Sequence, residues 1–130
     1  MRNEGMAKLK YVVNFDRLGM AEVEQVGGKN ASLGEMISRL SQAGIRVPGG
    51  FATTADAFRE FLGQDGLAGR IEARLKGLDP DDVEALARCG KDVRGWIEAA
   101  EFPKQLQSEI GAAYRQLTGG DEKVSVAVRS

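Results

Sequence analysis

Along residues 8–15 the apolar side chains Leu9, Tyr11, Val13 and Phe15 recur at every second position. That is the period of a half-buried strand and not of a helix, so a first strand is predicted from Lys8 to Phe15. Beyond Gly27 the period lengthens. Leu33, Met36, Ile37 and Leu40 fall at i, i+3, i+4 and i+7, which predicts an amphipathic helix with Asn30 at its cap and Gly44 at its stop. Ile45 to Pro48 should be extended, because a residue before proline is pushed out of the α region. Gly49-Gly50 then turns the chain into a short strand, Phe51-Ala52-Thr53. Thr53 with Asp56 three residues on resembles a capping box, Phe58, Phe61 and Leu62 form an apolar stripe, and Gly63 terminates the helix.

The second half reads mainly as helix. Leu67, Ile71 and Leu75 line a short segment. Asp79-Pro80-Asp81-Asp82 combines a cap, a proline in the first turn and acids at the positive end of the helix dipole. The helix it opens is expected to turn Val83, Leu86, Val93 and Ile97 inward and to kink near Gly90. Pro103 opens a last helix through Leu106, Ile110, Ala113, Tyr114 and Leu117, closed by Thr118-Gly119-Gly120-Asp121. Val124 to Arg129 alternates as a strand. These elements predict a helix-rich α+β unit in which the strands near Tyr11, Ala52 and Val126 share one small sheet covered by several helices. The chain stops inside its last strand, so a piece of a longer protein is expected.

Composition narrows the function classes. At 130 residues, with 42% hydrophobic and 28% charged positions, the chain reads as one ordinary globular domain. Eighteen basic and nineteen acidic residues leave a net charge of −1, which gives no footprint for nucleic acid or for an anionic membrane. No apolar run approaches the ~18 residues of a membrane span, and the single cysteine, Cys89, excludes an internal disulfide. A cytoplasmic location is expected. There is no histidine, which removes Ser-His-Asp triads, histidine metal sites and a phosphohistidine from this stretch.

The most informative segment is Gln25 to Met36, where Gly27, Gly28 and Lys29 immediately precede the predicted helix. Glycines let an anion approach the backbone, the free N–H groups and dipole at a helix start favour negative charge, and a lysine adds a mobile cation. It is not a Walker A loop, since Val23 and Asn30 stand where that pattern needs Gly and Ser or Thr. On pattern alone, the plainer reading is a helix start with a solvated lysine. Arg129 is the second candidate, for which a solvent-facing strand arginine is the plainer reading. Cys89, Trp96 and Phe102 read as packing, and Asp81-Asp82 as capping rather than as metal ligands.

The runs Val26-Gly27-Gly28-Lys29-Asn30-Ala31-Ser32-Leu33-Gly34-Glu35-Met36 and Val47-Pro48-Gly49-Gly50-Phe51-Ala52-Thr53-Thr54-Ala55-Asp56-Ala57-Phe58 closely resemble the beginning of the phosphoenolpyruvate synthase family. Ala127-Val128-Arg129-Ser130 looks like the start of that family's next motif, and Leu18-Gly19-Met20 with Val23 extends the likeness over nearly the whole chain. The resemblance implies the N-terminal part, here residues 1–130, of an ATP-grasp-type nucleotide-binding domain. The enzyme would make phosphoenolpyruvate, AMP and phosphate from pyruvate, ATP and water, with magnesium. Its partners would be ATP and the remaining domains, one carrying a phosphohistidine and one binding pyruvate, in a full-length homodimer. Lys29 and Arg129 would contact the ATP phosphates and Gly27 and Gly28 would line them. Magnesium ligands and catalytic groups would lie outside this chain, which alone would be inactive. Pyruvate phosphate dikinase and rifampicin-type antibiotic phosphotransferases carry similar nucleotide motifs, and a non-catalytic binding domain on the same fold is a further alternative.

Overall fold

A computed structural model describes residues 11–130. They fall into two compact units, one formed by residues 11–58 and 104–130 and the other by Arg59–Pro103.

In the first unit β1, Val12–Asn14, pairs antiparallel with β2, Phe51–Thr53, with Val12 opposite Thr53, Val13 opposite Ala52 and Asn14 opposite Phe51. The predicted second strand is therefore found at its predicted bounds. The first is shorter than its alternation suggested: Phe15 already begins a 3-10 turn, Phe15–Arg17, and residues 8–10, with Leu9, lie outside the described residues. A second 3-10 turn, Met20–Glu22, leads into the one-turn helix α1, Val23–Val26, and the long helix α2, Gly28–Gln42. Leu18, Val26, Ala31 and Ala52 are buried together, with Val13 and Phe15 packed against them. Burying one side chain of the size of Leu18 contributes about 2 kcal/mol.

The side of α2 that is buried is its small one, Ala31 and Gly34. A Cβ on Gly34 would stand 2.5 Å from the carbonyl oxygen of Leu18, well inside contact distance. Glycine is required there because backbone meets backbone, and Met36, expected on the apolar stripe, is left 46% exposed.

α3, Ala55–Gly63, starts one residue later than the Thr53 box implied. Its cap is Thr54, whose Oγ1 accepts the N–H of Ala57 at 3.2 Å. Ala57 is buried with Tyr11 and Leu106, and Ile110 packs against them. Phe58 points out instead and is 60% exposed.

In the second unit α4, Leu67–Leu75, packs on α5, Val83–Ala99. Asp82 is the cap of α5, its Oδ1 accepting from Ala85 N at 3.0 Å, so Asp81-Asp82 serve the helix start as expected, with Pro80 in the turn before it. α5 is unbroken at Gly90, since a glycine costs at most ~1 kcal/mol and the helix has a packed face to offset it. That face is rotated from the expected one. Cys89 is fully buried, its Sγ 4.0 Å from the Arg74 carbonyl. Asp92 pairs with Arg74 at 3.3 Å, and the Arg70 guanidinium lies 4.3 Å over the Trp96 ring. These contacts set the rotation, leaving Val83, Leu86 and Ile97 exposed. Phe102 meets Phe61 edge-on, with ring centroids 5.8 Å apart.

α6, Lys104–Thr118, returns to the first unit. Its Glu109 is buried, and Oε1 accepts the N–H groups of Tyr11 and Val12 at 3.0 and 3.2 Å. Gln105 Nε2 donates to the other oxygen at 2.8 Å. Gly119 and Gly120 end the helix as expected. The predicted last strand is not formed: among the described residues the sheet has the strands β1 and β2 only, and Val124, Val126 and Val128 are exposed. Alternation supplies a strand's faces but not the neighbouring strand whose N–H and C=O groups it needs. Among the described residues no helix is long and apolar enough to cross a membrane.

Because Glu109 satisfies two buried amides 97 and 98 positions away, Glu109→Ala should destabilise the fold by about 2–4 kcal/mol in urea denaturation. Glu109→Gln keeps an acceptor oxygen and should cost markedly less. Equal stability of Glu109→Ala and wild type would contradict this role.

Candidate functional site

The site is built on the start of α2. Gly27, at φ 85° and ψ 165°, is the N-cap, in a backbone conformation that residues with a Cβ rarely adopt. Its N–H donates to the Val23 carbonyl at 2.8 Å and its own carbonyl accepts the first helical bond, from Ala31 at 3.0 Å. The N–H groups of Gly28, Lys29 and Asn30 therefore precede the helical ladder, and no side chain caps them. Asn30, expected as the cap, instead lies inside the first turn and donates from Nδ2 to the Val26 carbonyl at 2.8 Å. The helix starts earlier than the pattern suggested because glycine at position 27 permits the sharp entry. A Cβ on Gly27 or Gly28 would meet nothing within 4 Å, so there is room beside these two α carbons.

Lys29 is exposed. Its amine makes no ion pair with an acidic side chain among the described residues, and it donates to the Ser130 carbonyl oxygen at 3.3 Å. That bond spans 101 positions of sequence and brings the end of the Val128-Arg129-Ser130 segment against the start of α2. Arg129 is exposed immediately before it. Gly27, Gly28, Lys29 and the residue next to Arg129 are thus gathered at one place. A fifteen-residue helix presents free N–H groups and the positive end of its dipole there, and the lysine adds a full charge, so the chemistry of the donor set suits a phosphate.

A surface pocket of this unit is bordered by Ile37, Ser41, Gly44, Ile45, Arg46 and Val47, at the far end of α2, and Lys29 is not part of it.

Three acceptors near the site carry no signal in the periodicity. Glu22 Oε1 accepts the N–H of Gly19 at 2.7 Å, Glu35 Oε1 accepts that of Met20 at 3.1 Å, and Met20 Sδ accepts from Ser32 Oγ at 3.7 Å. Ser32 and Glu35 are i,i+3 neighbours on α2, but that spacing does not point to Met20 or its amide as their partner. Among the described residues no three of His, Cys, Asp and Glu gather where they could hold a metal ion, and no residue of the chain is assigned to magnesium.

Comparison with known proteins gives this geometry a family. The chain is 58% identical to the phosphoenolpyruvate synthase of Pseudomonas aeruginosa over 94% of its own length and 15% of the relative's. It is 57% identical to that of Neisseria meningitidis over 92% of the chain and 15% of the relative. Against that of Escherichia coli the identity is 51% over the full chain and 16% of the relative. The chain thus spans about 15% of the length of the relatives it matches. Residues 23–130 match the family described as pyruvate phosphate dikinase, AMP/ATP-binding domain, and they make up most of the 130-residue chain. The chain belongs to the pyruvate phosphate dikinase AMP/ATP-binding domain family.

Proposed function

We propose that the chain is the N-terminal, nucleotide-binding part of a phosphoenolpyruvate synthase, an enzyme that converts ATP, pyruvate and water to phosphoenolpyruvate, AMP and phosphate. The observation that carries this reading is the identity of 51–58% with synthases over nearly the whole chain. In this reading residues 1–130 open an ATP-grasp-type domain whose remainder, with the phosphohistidine and pyruvate-binding domains, follows in the full-length enzyme. We place that enzyme in the cytoplasm, as a homodimer.

The role of this part is to hold phosphates. The open amides at the start of α2 and the Lys29 amine bind phosphoryl oxygens, Gly27 and Gly28 let those oxygens approach the main chain, and Arg129 adds a planar fork of donors. Phosphoryl transfer depends on positioning and on cations placed where charge shifts among oxygens, and two basic groups from distant segments meet that need. Magnesium, accompanying ATP, would neutralise further phosphate charge, held by groups outside this chain.

In the full-length enzyme, Lys29→Ala should slow ATP-dependent formation of the phosphohistidine by roughly 10- to 100-fold, the scale of a lost charge-assisted contact in a closed site. The exchange between pyruvate and phosphoenolpyruvate should be largely unaffected, because a different domain carries it. Equal damage to both half-reactions would indicate a folding defect, and no damage to either would remove Lys29 from the site. Arg129→Lys keeps the charge but loses the fork, so kcat/KM for ATP should fall about tenfold. Unchanged ATP kinetics would leave Arg129 as a surface residue.

A further inference from the structure

Glu35 stands two turns into α2, one turn beyond Ser32, which is itself one turn beyond Lys29. Its Oε1 holds the Met20 amide at 3.1 Å across 15 positions of sequence, while the adjacent amide, that of Gly19, is held by Glu22 at 2.7 Å. Consecutive N–H groups of one loop are each fixed by a carboxylate. The fit is close, since a Cβ on Gly19 would stand 2.9 Å from Glu35 Oε1. Glu35 Oε2 also pairs with Arg39 at 3.4 Å, but that arginine side chain is 77% exposed, and an exposed i,i+4 pair contributes little. The amide contact is the one with a structural consequence.

That consequence reaches the site. The same loop sends the Met20 thioether to Ser32, one turn beyond Lys29, where Sδ accepts from Oγ at 3.7 Å. Met20 is 52% exposed and takes no part in the cluster of Leu18, Val26, Ala31 and Ala52. A large apolar side chain is therefore held on the surface, beside the turn that opens with Gly28 and Lys29, by bonds that the core does not need.

The geometry points to Glu35 as a positioning residue for nucleotide binding: by holding the Met20 amide it fixes the Met20 side chain as an apolar flank of the phosphate-binding turn. This rests on the nucleotide reading above. An apolar flank displaces water from one side of the bound phosphates, and lower local polarity strengthens their attraction to Lys29. Glu35 itself does not touch the nucleotide.

The test is steady-state kinetics of the full-length enzyme. Glu35→Ala should raise KM for ATP about fivefold, the factor that one lost hydrogen bond carries. KM for pyruvate and the thermal midpoint should stay at their wild-type values. Glu35→Gln, whose carboxamide oxygen can accept the same N–H, should recover most of the loss. If Lys29→Ala impairs ATP use and Glu35→Ala does not, this inference alone is overturned. If neither variant affects ATP use, the nucleotide reading fails and the inference falls with it. Equal rises in KM for ATP and pyruvate would assign Glu35 to general folding, and Glu35→Gln as damaging as Glu35→Ala would assign its effect to charge. Either result also overturns the inference.

Discussion

One backbone conformation, that of Gly27, governs how the chain enters α2. With Gly27 at φ 85°, the chain enters α2 without a capping side chain, and the first amides of a fifteen-residue helix are left with no side-chain partner and with room beside Gly27 and Gly28. A serine, threonine or aspartate cap would have satisfied one of those amides and filled that space. The glycine pair instead gives up the local stabilisation of a cap, about 1 kcal/mol, and leaves donors available. Contacts from other segments of the first unit hold that helix start in place.

Two contacts do most of the holding. Gly34 lets α2 lie directly on the Leu18 backbone, which fixes the loop of residues 18–20 beside the first two turns of the helix. Glu109, from the far end of the sequence, takes the amides of Tyr11 and Val12 and so ties α6 to the sheet strand that leads into the same loop. The hydrogen bond from Lys29 to Ser130 closes the arrangement from the other side. Segments from near residues 12, 29, 109 and 130 are thereby brought into one unit by polar contacts to the main chain, each more specific in geometry than the small apolar clusters beneath them.

Much of this was legible in the sequence, and the limits have physical causes. The second strand and the helix ends at Gly63 and Gly119 follow from local rules, because turns, caps and glycine conformations are set by neighbouring residues. Periodicity was less informative wherever packing used small or polar side chains. α2 buries Ala31 and Gly34 rather than Met36, and the rotation of α5 is set by Cys89, Asp92 and Trp96 rather than by Val83, Leu86 and Ile97. The Val124–Val128 alternation was a true β pattern without a partner strand among the described residues. Glu35 and Glu109 were invisible because their partners are main-chain amides 15 and nearly 100 positions away, and an amide carries no residue identity.

In the function proposed above, the uncapped start of α2 and the adjoining residues 124–130 receive the phosphates of ATP. Amide hydrogen exchange on the full-length enzyme, followed by mass spectrometry with and without a non-hydrolysable ATP analogue, addresses it directly, since the amides of Gly28, Lys29 and Asn30 lack helical partners and should exchange quickly until an anion accepts from them. Nucleotide-dependent protection is expected in peptides covering residues 27–32 and 124–130, and none there with pyruvate. Protection elsewhere in the enzyme, with exchange at residues 27–32 unchanged by the nucleotide, would contradict it.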